Sequence, residues 1–236
     1  NWSRTHWALA VVLGIVLALA LMGPNVTEIG GAFPGYFNDD WANGIYLHHQ
    51  VHAALMSGRF DLSDPMQFHP IGYNPIHTNG GNILEMLVSG FSRIVLPWPM
   101  WLSVGALLWV PLNLLAFIPL GRRLWDSPSV IMAAASLWAI FPPVLDQLAA
   151  GRLTQVALVG LPLAVAGLLD VAEKGTQSSI RLAAIGLALT GLGYWFNALF
   201  LGLLVPAFWW HGHRNRGWKD LGVDLLTVGA LSLAMV

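Results

Sequence analysis

The chain has 236 residues, 56% of them hydrophobic and 10% charged, with a formal net charge of -1 and no cysteine. Its mean hydropathy is +0.63, and long uncharged runs recur from end to end, the composition of a polytopic membrane protein. The balanced charge gives no sign of a nucleic-acid partner, and the lack of cysteine excludes disulfides and thiolate metal centres.

A membrane-crossing helix needs roughly 20 apolar residues. In chain order the candidates are Trp7 to Gly23, Met100 to Leu120, Ser129 to Pro142, Thr154 to Val171, Ile180 to Gly193, Trp195 to Trp210, and Leu221 onward. The predicted fold is therefore all-α, with about seven transmembrane helices. A signal peptide is the alternative for the first run, which has Arg4, an apolar core and small residues near its end.

Between Leu182 and Trp210 no residue carries a formal charge, and at about 1.5 Å per residue the stretch is too long for one untilted span. A tight turn at Gly193 to Asn197 divides it into two. Arg4, Arg122, Arg123, Lys174, Arg181, Arg214, Arg216 and Lys219 then share one side, with Arg59, Arg93 and Arg152 on the other. Lys and Arg prefer cytoplasmic loops, so the larger group marks the inner side. The same logic demotes Asn82 to Pro97, NILEMLVSGFSRIVLP, to a surface helix. A crossing there would invert Arg122 and Arg123 and bury Glu85 and Arg93 in lipid, at a few kcal/mol each.

One large outer loop, Pro24 to Trp98, dominates this topology and gathers most of the titratable chemistry. At its start stands GYFNDDWANGIYLHHQVH, in which Trp41 to Ser57 reads as an interfacial helix capped by Asp40 and ended by Gly58. Asp39 and Asp40 lie at the end where the helix macrodipole favours negative charge. They are candidate catalytic carboxylates and candidate ligands for a hard cation such as magnesium or manganese; a plain capping role is the alternative. His48 and His52, four residues apart, share one helical face and can join a carboxylate around a divalent cation.

Asp64 to Asn82, DPMQFHPIGYNPIHTNGGN, is too rich in Pro, Gly and Asn for a long helix and reads as a structured loop. Within it His69, Tyr73 and His77 can hydrogen-bond a polyhydroxylated substrate, or simply order the loop. A second outer element, FPPVLDQLAAGRLTQ from Phe141, brings Asp146, Arg152 and Gln155 to the mouth of the next predicted span. Arg152 beside a helix N-terminus is a candidate phosphate ligand, with Asp146 to orient it; an arginine reaching for lipid headgroups is the alternative.

The acidic pair in GYFNDDW shortly after a first span, followed by FHPIGYNPIHTNGGNILEML, resembles the GT-C superfamily of integral membrane glycosyltransferases. The nearest likeness is to bacterial and archaeal relatives of protein mannosyltransferases and aminoarabinose transferases. GRRLW, LAAGRLTQVALVGLPLAVAGLL and GLGYWFNALFLGLL agree in character. The resemblance implies transfer of a sugar from a polyprenyl-phosphate- or pyrophosphate-linked donor to a hydroxyl or other nucleophile on the extracytoplasmic side of a prokaryotic cytoplasmic membrane. It makes Asp39 or Asp40 the general base or metal ligand, and treats residues 1–236 as a single domain truncated at its C-terminus. Many members carry Asp-Glu where this chain has Asp-Asp.

Two other readings compete. A transporter calls for ionisable groups at mid-membrane or for internal repeats, and the sequence offers neither. A non-catalytic subunit of a larger membrane complex is compatible with 12 Trp, 10 Phe and 4 Tyr, which suit protein interfaces as well as contacts with membrane lipids. The transferase reading expects Asp39 or Asp40 and Arg152 to meet across one pocket, within roughly 15 Å.

Overall fold

Small residues recur every fourth position along the first helix: Ala10, Gly14, Ala18, then Met22. In the computed structural model, which describes residues 2–22, 49–50, 52–54, 56–58, 83–97, 100–213 and 216–235, this stripe is the buried face of α1 (Arg4–Met22). It lets α1 approach α3 (Met100–Leu124) closely, since a Cβ on Gly14 would stand 2.7 Å from Pro111 Cα. Between them in sequence, α2 (Ile83–Val95) forms where the surface helix was expected, and it packs against α3. Of the predicted Trp41 to Ser57 helix, residues 49–50, 52–54 and 56–57 are described and helical, and Gly58 closes it at φ 65°.

Downstream, α4 (Pro128–Ala139) packs on α3 and is followed after a bend by α5 (Pro142–Ala149). Pro142 and Pro143 not only end the preceding helix; they also open the next, their missing N–H groups being among those a helix start leaves unpaired anyway. Three helical stretches, Arg4–Met22, Ser103–Leu124 and Pro128–Ala149 taken across its bend, are long and apolar enough to cross a membrane.

The second half is built on a close antiparallel pair, α7 (Gly160–Glu173) and α8 (Gln177–Gly193). A Cβ on Gly167 would fall 2.3 Å from Ala183 N, and one on Gly186 would fall 2.2 Å from Ala164 N, so the two backbones touch. Gly175, at φ 59°, turns the chain between them, and Thr176 caps α8 by accepting a hydrogen bond from Ser179 N at 3.2 Å. The predicted turn near Gly193 reduces to one extended residue, Tyr194, between α8 and α9 (Trp195–Gly212). α10 (Trp218–Met235) packs on α8, and Leu221 and Val228 join Leu168, Ile180 and Leu201 in a second apolar core. Among the described residues every regular element is an α-helix.

One expectation changes. The apolar run from Thr154 to Val171 is not one helix but a single turn, α6 (Leu153–Val156), a break, and then α7. Pro162 falls in the first turn of α7, where its missing N–H costs nothing and favours a helix start, although α3 runs unbroken through Pro111 and Pro119.

The ends of the assembly differ in chemistry. At the C-terminal end of α3, Arg123 Nε pairs with Asp170 at 3.1 Å and its guanidinium also meets Glu173. Lys174 reaches Asp170 at 2.8 Å, and Arg216 pairs with Asp224 at 2.7 Å while donating to the Val171 carbonyl. At the opposite end of α3, Arg93 lies over the Trp101 ring, 5.6 Å from its centroid.

Candidate functional site

α5 buries Val144 and Leu148 and turns Asp146 outward. Past Ala149 the chain closes tightly: Ala150 N bonds Asp146 O, and Arg152 N bonds Gln147 O at 2.9 Å. Gly151, at φ 75°, permits this because the left-handed region is open to glycine at no steric cost. The turn brings Arg152 back over α5. Arg152 Nη1 donates to Gln147 Oε1 at 3.5 Å, and Gln147 Nε2 donates to Asp146 Oδ2 at 3.2 Å. The three side chains thus form a row at the exposed surface.

Two expectations are refined by this geometry. Asp146 does not meet Arg152 directly, and Gln147 stands between them. The helix that begins behind Arg152 is the single turn α6, too short for a macrodipole, so the expected phosphate site has only the Arg152 guanidinium to offer. Gln155, half-buried in that turn, bonds through its backbone N to Arg152 O at 2.9 Å.

The break after α6 is an inverse γ-turn centred on Ala157, with φ -75° and ψ 74°. Leu158 N bonds Val156 O across it at 2.9 Å. Asn113, from the middle of α3 and fully buried, reaches both atoms. Its Nδ2 donates to Val156 O at 2.8 Å, and its Oδ1 accepts from Leu158 N at 3.0 Å. Backbone polar groups buried in an apolar interior need partners, and one side-chain amide supplies them here. The sequence reading missed Asn113; its one signal is a lone amide inside an apolar run that also contains Pro111 and Pro119.

Near the N-terminal end of α3, Arg93 Nη1 stands 2.7 Å from His49 Nδ1. A guanidinium has no acceptor, so His49 accepts at Nδ1 and carries its ring proton on Nε2. Burial lowers the pKa of His52, with the Arg93 charge and His49 adding to the effect. The direction is toward the neutral imidazole, the form in which histidine binds a metal. Among the described residues no three His, Asp or Glu side chains stand together as a metal site. Asp39, Asp40, His48, His69, Tyr73 and His77 lie outside the described residues, and so does the expected approach of the aspartates to Arg152.

No protein-family model matches the chain, and neither a curated protein nor a solved structure is significantly similar to it. Its function has to be argued from the chemistry of its own residues.

Proposed function

We propose that this chain is an integral membrane glycosyltransferase that moves a sugar from a polyprenyl-phosphate-linked donor to an acceptor hydroxyl on the extracytoplasmic side. In this reading α1, α3, α4, the α6–α7 run, α8, α9 and α10 provide seven spans. The end rich in Arg123, Lys174 and Arg216 faces the cytoplasm, as the preference of Lys and Arg for that side requires. The observation that carries the reading is the Arg152, Gln147 and Asp146 row. It holds a cation on the second outer element, on the side to which the long acidic and histidine-rich loop also belongs.

The chemistry asks little more of the protein. A glycosyl phosphate arrives with its leaving group activated, so the acceptor oxygen attacks the anomeric carbon as the bond from that carbon to the phosphate oxygen breaks. The acceptor proton passes to the carboxylate of Asp39 or Asp40, and the charge left on the departing phosphate is met by Arg152. His69, Tyr73, His77 and Gln155 would hold sugar hydroxyls. A magnesium or manganese ion on Asp39 and Asp40, with His48 and His52 at its edge, belongs to the same proposal, and the neutral imidazole of His52 suits it.

The test is to replace Asp39 and Asp40 separately by Asn and to follow transfer from a lipid-linked sugar. Loss of the base should slow transfer about 10²- to 10⁴-fold in at least one variant. Full activity in both would remove the proposed base. An inactive parent chain that co-purifies in fixed stoichiometry with other membrane proteins would replace the enzyme by a scaffold.

A further inference from the structure

We propose that Asn113 is a positioning residue, locking the γ-turn at Ala157 from within α3 and so fixing where Arg152 stands; the link to Arg152 rests on the donor-binding role assigned above. An asparagine with no exposed surface in a membrane-spanning helix is costly unless every polar atom is used. Asn113 spends both ends of its amide on one target. Val156 O and Leu158 N are the two atoms that close the γ-turn, and they are the same two that Asn113 binds.

A γ-turn by itself is a soft joint, held by one bent hydrogen bond. Without Asn113 the bond from Leu158 N to Val156 O would alone close the turn that sets α6 against α7. With Asn113 the joint is tied at two further points to the longest helix of the bundle. Gly193, at the end of α8, closes the other side, since a Cβ there would lie 3.1 Å from Ala157 O. Beyond the joint, α6 and the bond from Gln155 N to Arg152 O carry the constraint to the arginine in five residues. The outer element that bears Arg152 is thereby located by a residue buried in the bundle.

The chain has no cysteine of its own, which makes single-cysteine reporters clean. Leu153→Cys, at a position 4% exposed, and Ala183→Cys, in the fully buried contact between α7 and α8, would each be placed in the parent and in Asn113→Leu, and reconstituted in lipid nanodiscs. Modification by a charged maleimide reads the fraction of time each site opens. The expected result is a rise of about tenfold or more at Leu153→Cys, the scale of the two buried hydrogen bonds lost, with no change at Ala183→Cys. Asn113→Ala removes the same two bonds with a smaller, uncharged side chain, should give a rise of the same order, and serves if the leucine variant does not assemble. Equal labelling of Leu153→Cys in parent and variants would overturn the lock, and so would opening at both sites, which would make Asn113 a support of the whole bundle.

A transfer assay separates the two ideas. If the lock and the donor role both hold, Asn113→Leu raises KM for the lipid-linked donor and also lowers kcat, each about tenfold or more, because Arg152 meets both the bound phosphate and the charge that develops as it departs. A parent chain without transfer activity, combined with the labelling pattern above, upholds the lock and overturns only the donor role. Transfer with an unchanged donor KM in the variant overturns the link from Asn113 to Arg152.

Discussion

Gly151 shows how much can depend on one residue. Its φ of 75° lets the backbone bond Arg152 N to Gln147 O and fold the guanidinium back over α5. Gly151→Ala should cost about 1 to 2 kcal/mol, the penalty of a Cβ in the left-handed region, and lower the melting temperature by a few degrees, measurable by thermal denaturation in detergent. The charged members of this site were legible as letters: Asp146 and Arg152 stand out in VLDQLAAGRLTQ because little else there is ionisable. Gln147 was not, because its importance comes only from the turn that places it between them. Asn113 was still less visible, since its partners lie 43 and 45 residues away in the chain.

At the scale of elements, the helices fell where apolar runs and their interruptions put them. α2 was legible as a helix within Asn82 to Pro97, and what set it apart from the spans was the sorting of Arg122 and Arg123, to which Glu85 and Arg93 only added. The split between α6 and α7 escaped notice because Ala157, Leu158 and Val159 are as apolar as the helices on either side, so hydropathy runs straight through it; Pro162 was the only mark. The contact of α7 with α8 yields a sharp contrast between two glycines. Gly167→Val would drive a side chain into the Ala183 backbone, which has nowhere to go, whereas Gly202 of α9 has nothing within 4 Å of an added Cβ. Gly167→Val should therefore destabilise by about 1 to 3 kcal/mol or more. Gly202→Val should stay within about 1 kcal/mol of the parent, the size of a helix-propensity change. Side-by-side melting curves would decide; equal tolerance of both would show that the backbones are not in contact.

For the whole molecule, the sorting of charge was readable from the basic residues, but their pairing was not. The sequence groups Arg123, Lys174 and Arg216 on one side, and the structure gives each an acidic partner on α7 or α10. Arg216 ties the most together: it meets Asp224 on α10 and donates to the Val171 carbonyl on α7, with about a sixth of its side chain exposed, 17%. Arg216→Ala should cost about 1 to 3 kcal/mol by stranding both partners. Since the pair is largely shielded, molar salt should reproduce little of that loss in the parent; a parent that molar salt destabilises as much as the substitution does would refute this. The clamp at Asn113 also has a consequence for biogenesis. A nascent chain emerges from its N-terminus, so α3 is complete before Val156 and Leu158 have been synthesised. The ribosome thus delivers the receptor for the joint ahead of the joint itself, and Val156 O and Leu158 N meet waiting hydrogen-bond partners as soon as they are made.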